Sequence, residues 1–468
     1  MLSRIKDRYI GNRAFYSTVI AVAVPIMIQS GVTNFVSLLD NVMVGQLGTE
    51  SMSGVAIVNQ LIFVFNLAIF GASSGAGIFG AQFYGNGDVE GFRHTFRFKV
   101  LLSFVILVIG LCVLRLGGID LVSLFLNDTD SGNVALTLSE SSGYLGVILL
   151  GLIPFTAGQV YSSTLRETGR TVVPMIASVA AVFVNLSGNY ILIFGKFGAP
   201  QLGVRGAAIA TVIARFVECA VIIVWTHTNS HKTPFMQGLY KSMRIPAKLA
   251  GQIAVKGAPL LMNEVLWAVG MAVLMQSYSL RGLNAVAALN ISSTVSNFFA
   301  IVYMAMGSAV AIIVGQLLGA SQMEKAQDSA RKLIAFSIAS CLVVGVLLGL
   351  LSPYLPLLYK TPGEVRDLAS AFILMSAFFM PLHAFMFSAY FTLRSGGRTF
   401  ITFLFDSVFL WVVSYPLAFF LSRYTNLYIL PLYLIVQLAD LIKCAVGYIL
   451  LKKGIWLRNI VSSGKTGI

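Results

Sequence analysis

The heptapeptide LRETGRT at Leu165–Thr171 recurs as LRSGGRT at Leu393–Thr399, 228 residues further along the chain. Each copy lies between two apolar segments that are long enough to cross a bilayer. Further matches occur at an offset of 234 residues and keep register across three apolar segments. They pair Pro25 with Pro259, Gly48 with Gly282, Gln82 with Gln316, and Gly85 with Gly319. These matches predict that the chain is an internal duplication of one helical unit.

The composition places this duplicated unit in a membrane. Of the 468 residues, 57% are hydrophobic and only 11% are charged, whereas soluble domains carry about 25% charged residues. This excludes an ordinary soluble enzyme and a disordered chain. The net charge of +14 would suggest nucleic-acid binding in a soluble protein. Because the basic residues cluster between apolar segments, we interpret them as cytoplasmic loop residues and expect no nucleic-acid partner.

Twelve segments are apolar over the roughly 20 residues that a spanning helix needs. A span must satisfy its own backbone in hydrocarbon, and these runs are too long for barrel strands of about ten residues. The predicted fold is therefore an all-α integral membrane protein with twelve transmembrane helices in two pseudo-symmetric six-helix bundles. The predicted spans are 15–45, 53–80, 98–118, 141–165, 172–195, 204–227, 251–280, 286–315, 333–352, 369–393, 400–422 and 429–451.

The distribution of basic residues predicts the topology. Both termini and the alternate loops on their side hold 22 Lys and Arg residues, and the other loops hold seven. This bias places both termini in the cytoplasm of a multi-pass plasma-membrane protein, and the acidic loop with Asp128 and Asp130 falls outside. Six is even, so the two halves form a parallel repeat. The predicted domains are an N-lobe at 1–228, a cytoplasmic linker at 229–250, a C-lobe at 251–452 and a cytoplasmic tail at 453–468.

A parallel repeat of two bundles is typical of secondary transporters, which bind substrate between the halves and work by alternating access. A channel is disfavoured because the sequence has no repeated charged or carbonyl-rich filter motif. An enzyme is disfavoured because the four His and four Cys residues are scattered, without catalytic or metal-ligating spacing. We therefore expect a transporter that needs no cofactor and no metal centre.

Three stretches resemble a known family: LLDNVMVGQLG at 38–48, NLSGNYILIFG at 185–195 and LGVRGAAIAT at 202–211. Together with the two LRxxGRT loops and the duplication, they resemble the multidrug and toxic compound extrusion (MATE) family over nearly the whole chain, and within it the DinF-like branch. The resemblance implies polyspecific multidrug efflux by antiport of amphipathic, mostly cationic organic compounds against H⁺ or Na⁺. The alternative is a flippase for lipid-linked saccharides from the same wider superfamily, against which the twelve spans and the few unpaired internal cations argue.

An ionisable residue inside a span is costly and is a functional candidate by default. Asp40 has no basic partner at helical spacing, and it shares a helix face with Thr33 and Ser37, flanked by Asn34 and Asn41. A lone carboxyl among neutral polar groups can gain and lose a proton, as a coupling residue must. The family resemblance implies the same role, because the amino-terminal lobe of the family carries a coupling Asp in its first span.

Asn185 and Asn189 are one helical turn apart and could hydrogen-bond Asp40 or ligate a cation. The resemblance places this pair in the same lobe as the coupling Asp, with Thr211 of the sixth span as a weaker candidate. Some relatives carry a second Asp where this chain has Asn189. The lower charge favours proton coupling over a tight sodium site, and a weak sodium site at Asp40, Asn185 and Asn189 stays open.

The second half offers Glu264 and Asp406 as secondary candidates. Another branch of the family needs an acid in the tenth span, where this chain has only His383, so we place the coupling site in the N-lobe. Two further acids have basic residues three positions away on the same helix, and we expect them to be neutralised within that helix. These pairs are Arg215 with Glu218, and Asp440 with Lys443.

Pro25 interrupts the first span and permits a bend there. The bend is either a static kink or, as the family resemblance implies, a hinge that depends on the protonation of Asp40. Substrate contacts are assigned to Asp40 and its neighbours on the first span, and to residues near the level of Asp40 on facing helices. The candidates are Asp40, Asn34, Ser37, Asn41, Asn59, Phe63, Phe155 and Met175. The expected partners are cationic amphipathic drugs or toxins and membrane lipids, and the protein is expected to be a monomer.

Overall fold

A computed structural model describes residues 8–126, 133–359 and 361–462. Arg4, Lys6, Asp128, Asp130 and the last six residues of the predicted tail lie outside the described residues. Within the described part, twelve helices are long and apolar enough to cross a membrane, and no strand is present there. The helices are α1 Arg13–Gly45, α2 Thr49–Gly85, α3 Val89–Ser123, α4 Val134–Glu167, α5 Val172–Phe194, α6 Gly203–Thr228, α7 Ala247–Ser279, α8 Leu283–Gly319, α9 Met323–Leu351, α10 Gly363–Ser395, α11 Thr399–Tyr424 and α12 Ile429–Lys452. The predicted all-α class and its number of spans are confirmed.

The helices differ from the predicted spans chiefly at their charged ends. The third and ninth helices each begin about ten residues before the predicted span, at Val89 and Met323. Their first turns carry charged residues that a search for apolar windows leaves out. The side chain of Asp88 caps α3 by accepting a hydrogen bond from the Gly91 N–H at 2.9 Å, which explains why the helix begins there.

Three helices are locally irregular. A 3₁₀ turn at Leu149–Gly151 interrupts α4. The middle of α11 is wound as two π-helical turns, Leu404–Val408 and Leu410–Ser414. The twelfth helix breaks between Leu438 and Asp440. Such departures from regular winding free backbone groups and often coincide with functional positions.

Contacts between residues divide the chain into two units. Unit 1 comprises Met1–Met27, Ala81–Gly87 and Val255–Ile468, and unit 2 comprises Ile28–Gly80 and Asp88–Ala254. The first helix therefore changes unit two residues after Pro25. The lobe boundaries at 228 and 251 stay a prediction.

Within unit 2, α6 packs against α4 and α5. Close approach is possible because small residues face each other: a Cβ on Gly188 would meet the Ala210 side chain, and a Cβ on Gly206 would meet the backbone of Leu192. Gly195 adopts φ +65° at the end of α5, a left-handed conformation that glycine adopts without strain. This turn sets the geometry with which α6 returns alongside α5.

The linker after α6 is held against unit 2 rather than extended from it. It forms two 3₁₀ turns, at Pro234–Met236 and Leu239–Lys241. Arg97 Nε donates to the Leu239 carbonyl at 3.1 Å, and the Tyr161 hydroxyl hydrogen-bonds that of Tyr240. These contacts tie the linker to α3 and α4 of the same unit.

Within unit 1, two segments that match each other in the predicted repeat, Gln82–Gly85 and Gln316–Gly319, are in contact. A Cβ on Gly85 would overlap the Gln316 carbonyl, and a Cβ on Gly319 would overlap the Gln82 carbonyl. The two glycines thus let the ends of α2 and α8 touch backbone to backbone. Residues that match each other in the sequence repeat therefore contact each other in the structure.

The chain after α12 is anchored to the same place. Gln82 Nε2 donates to the Ser395 carbonyl at 2.8 Å, and Gln82 Oε1 accepts from the Ile460 N–H at 2.8 Å. Arg398 Nε donates to the Ile455 carbonyl at 2.9 Å, and Trp456 is 2% exposed. The chain after α12 therefore packs against the second LRxxGRT copy.

We expect Gly319→Ala to lower the melting temperature of the purified protein. The new methyl group would strike a backbone carbonyl, and overpacking of this kind costs about 1–3 kcal/mol. Gly363→Ala is the matched control in unit 1, because a Cβ there meets nothing within 4 Å. Equal melting temperatures for the two variants would show that the crossing of α2 and α8 is looser than described.

Candidate functional site

The candidate coupling site lies in unit 2 and is built by α1, α5 and α6. Asn189 Nδ2 donates to Asp40 Oδ1 at 2.5 Å and to Asn185 Oδ1 at 3.3 Å. Asn185 Nδ2 in turn donates to Thr211 Oγ1 at 3.1 Å. All four residues proposed from the sequence for cation coupling therefore form one hydrogen-bonded chain.

The carboxylate in this chain faces neutral donors. Among the residues that the structure describes, no Lys, Arg or His nitrogen lies within 4.0 Å of the Asp40 carboxylate. Asp40 is half-buried, whereas Asn185 and Asn189 are 5% and 1% exposed. A carboxyl with no fixed counter-charge can exchange a cation, because nothing permanent neutralises it.

The buried amide of Asn189 leaves one atom without a partner. Its Oδ1 is buried and accepts no hydrogen bond from any described residue. An unsatisfied buried acceptor is costly, and a protonated Asp40 or a small cation would satisfy it. The oxygens of Asp40, Asn185, Asn189 and Thr211 are the donor type that hard cations prefer.

The other residues proposed to touch substrate all lie in unit 2. Asn34, Ser37 and Asn41 are exposed on α1. Asn59 Oδ1 accepts from the Tyr144 hydroxyl at 3.2 Å, and Phe63 is 44% exposed. Their role in substrate binding stays a prediction, as does that of the half-buried Met175.

Arg215 does not pair with Glu218 as predicted. Its guanidinium lies 4.6 Å from the centre of the Phe155 ring, and Glu218 accepts a hydrogen bond from the Ser178 hydroxyl. A spacing of three residues on a helix permits a contact without requiring it, and here neighbouring helices supply better partners. The cation–π contact places a positive charge beside a residue proposed to touch substrate.

The second predicted intrahelical pair is also wrong. Lys443 Nζ lies 2.8 Å from Asp406 Oδ1 on α11, whereas Asp440 lies 3.8 Å from His383 Nε2 on α10. Asp406 therefore has two partners on other helices: it accepts hydrogen bonds from Lys443 Nζ and from Asn263 Nδ2, the latter at 3.1 Å. Glu264 is half-buried on α7.

Sequence reasoning missed a buried ion pair in unit 2. Lys99 lies at the start of the predicted third span, its side chain is 0% exposed, and its Nζ lies 2.5 Å from Glu167 Oε1. Lys99 also donates to Thr164 Oγ1 at 3.1 Å. Gly77 and Gly80 make room for the Glu167 carboxylate, because a Cβ on either would strike it. The Glu of LRETGRT therefore serves a packing role that its motif alone does not reveal.

The chain is similar in sequence to known proteins. The sequence profile of the family described as MatE matches residues 25–191 and 259–420. The chain is 28% identical over 428 residues to a Thermotoga maritima protein named "Probable multidrug resistance protein NorM", covering 90% of this chain and 89% of that protein. It is 25% identical over 414 residues to "Probable multidrug resistance protein YoeA" of Bacillus subtilis, covering 87% of each chain.

Solved structures share the fold. The solved structure described as the outward-facing conformation of a multidrug resistance MATE family transporter superposes with a TM-score of 0.84 at 20% identity. The match covers 94% of this chain and 95% of that one. The twelve spans, the family match and the relatives named multidrug resistance proteins identify a multi-pass membrane transporter rather than an enzyme. The chain belongs to the MatE family, as the sequence resemblance predicted.

Proposed function

We propose that this protein exports amphipathic, mostly cationic organic compounds by antiport against protons. The observation that carries the proposal is the Asp40 carboxylate, which faces the Asn189 amide and no fixed cation among the described residues. Relatives named multidrug resistance proteins support multidrug efflux as the activity. The assignment to the DinF-like branch is part of this proposal.

The exchange follows from charge. A proton that reaches Asp40 from outside neutralises it, which releases a bound organic cation outward, and return of the proton to the inside restores the anion. Alternating access requires a moving element, and we assign it to α1 around Pro25. Two observations support this assignment. The helix α1 passes from unit 1 to unit 2 between Met27 and Ile28. Pro25, two residues earlier, leaves the helix one backbone hydrogen bond short.

The free energy released by such an exchange is large enough to concentrate a substrate across the membrane. One charge moving inward yields about 2.3 kcal/mol per 100 mV, and a tenfold gradient costs about 1.4 kcal/mol. At roughly 150 mV one proton would sustain a gradient of a few hundred-fold for a neutral substrate. Exchange of one proton for one monovalent cation is electroneutral, so the pH gradient alone would drive it.

Further parts of the proposal concern location and partners. We place the protein in the plasma membrane with both termini in the cytoplasm, on the strength of the 22-to-7 bias in basic residues. It acts as a monomer surrounded by lipid, and its ligands are the exported compounds and the coupling ion. Sodium is the alternative ion, because the site offers oxygen ligands. The presence of only one carboxylate among them favours the proton.

Ethidium flux into proteoliposomes tests the proposal. With the membrane potential clamped at zero, we expect an imposed pH gradient to drive ethidium accumulation of up to about tenfold per pH unit for one-to-one exchange. An imposed sodium gradient at equal pH is expected to drive none. Accumulation under sodium alone would replace the proton, and flux that only equilibrates ethidium would contradict antiport.

A further inference from the structure

A second intramembrane carboxylate, Asp406 of unit 1, has a protein partner on each of its two oxygens. Its Oδ1 lies 2.8 Å from the Lys443 Nζ and its Oδ2 accepts from Asn263 Nδ2 at 3.1 Å. The ammonium also lies 5.4 Å from the Phe405 ring centre and 5.8 Å from that of Phe409. The cation is thus held on several sides by a carboxylate and two aromatic faces.

The helix that carries Asp406 is irregular at this position. Asp406 lies in the π-helical turn Leu404–Val408, and the next residue, Ser407, donates to the Asn263 carbonyl at 2.8 Å. The Ser407 N–H donates to Asn263 Oδ1 at 3.3 Å, which orients Asn263 Nδ2 toward Asp406. Positioned donors and a π-turn around an intramembrane acid are features of an ion site rather than of ordinary helix packing.

Asp40 and Asp406 differ in one respect. Each accepts a hydrogen bond from an asparagine amide: Asp40 from Asn189 and Asp406 from Asn263. Asp40 has no cationic partner among the described residues, whereas Asp406 has Lys443. The ammonium carries the same charge as a proton or a sodium ion and stands where either would bind.

We propose that Lys443 is a tethered cation that occupies the ion site of unit 1, so that Asp406 exchanges no ion during transport. The inference rests on the proposed cation coupling, because it assigns which acid takes part. A side chain on α12 competes at high effective concentration with any dissolved ion. Lys443 therefore determines the number of ions that the protein exchanges, and unit 2 alone supplies the exchange.

Ion-dependent thermal stability tests this occupancy without any transport assay. The parent is Asp40→Asn, which removes the acid of unit 2, and Lys443→Met or Lys443→Arg is added to it. Melting temperatures are measured in NaCl and in choline chloride of equal concentration, at neutral and at acidic pH. Lys443→Arg is the matched control, because it keeps a cation at Asp406.

We expect the parent and the Arg variant to melt at the same temperature in both salts. The Met variant is expected to gain a saturable rise of about 3 °C in sodium or on acidification. Adding Asp406→Asn to the Met variant should remove that gain. A folded Met variant that responds to neither ion would show that Asp406 is no ion site, and the proposal would be wrong.

If the Met variant does not fold, the Asp40→Asn parent alone tests the proposal. Saturable stabilisation of Asp40→Asn by sodium or by acid, removed by adding Asp406→Asn, would show that the wild-type acid already binds ions and would overturn the proposal. Absence of that response supports it. The failure of proton antiport in the ethidium assay is a separate result, because it is measured on the wild-type protein.

Discussion

Asp40→Asn is expected to abolish ethidium accumulation driven by a pH gradient. The amide has nearly the shape of the carboxyl group, and it can still hydrogen-bond Asn189, which lies 2.5 Å away. It cannot release a proton or carry a negative charge, so neither coupling nor charge attraction for a cationic substrate remains. We expect accumulation to fall from up to about tenfold per pH unit to mere equilibration of ethidium across the membrane.

Asp120→Asn is the matched control for this change. Asp120 is an exposed residue of α3, so the same substitution there should leave accumulation and melting temperature unchanged. Asp40→Glu keeps the charge at a slightly different place and should retain part of the activity. Full gradient-driven accumulation by a folded Asp40→Asn variant would remove this residue from the coupling role.

Breaking the Lys99–Glu167 pair is expected to have the largest effect on stability. Both partners are buried, and removing one leaves an uncompensated charge, which costs about 3–5 kcal/mol. Lys99→Met and Glu167→Gln should therefore each lower the melting temperature sharply and reduce the yield of folded protein. The double variant should recover much of the loss, because no charge is then left unpaired.

The pair of Lys332 with Asp328 provides the comparison. Its atoms approach to 2.6 Å, but Asp328 is 47% exposed, so Asp328→Asn should cost no more than about 1 kcal/mol. The measurement is thermal unfolding of all variants in one detergent. Equal losses from Asp328→Asn and Glu167→Gln, or a double variant no better than either single one, would show that burial does not govern the Lys99 pair.

Much of the candidate site was predictable because its members are spaced by helical turns. Asp40 stood out as a charge with no intrahelical partner, and Asn185 and Asn189 as two amides one turn apart. The structure joins them into one chain with Thr211. The intrahelical pairs failed for the opposite reason: Arg215 and Lys443 took partners on other helices, and spacing along one helix carries no information about its neighbours.

The amino-acid sequence by itself determined the twelve spans, the internal duplication and the family, because hydrophobic length and repeated motifs are local properties of a chain in a membrane. Only the tertiary structure decided which charges meet. Lys99 reaches Glu167 and Lys443 reaches Asp406 across gaps of 68 and 37 residues. A buried charge is less costly when it is paired. Helix packing supplies partners for Lys99 and Lys443 but, among the described residues, places no cation within 4.0 Å of Asp40, as the proposed exchange requires.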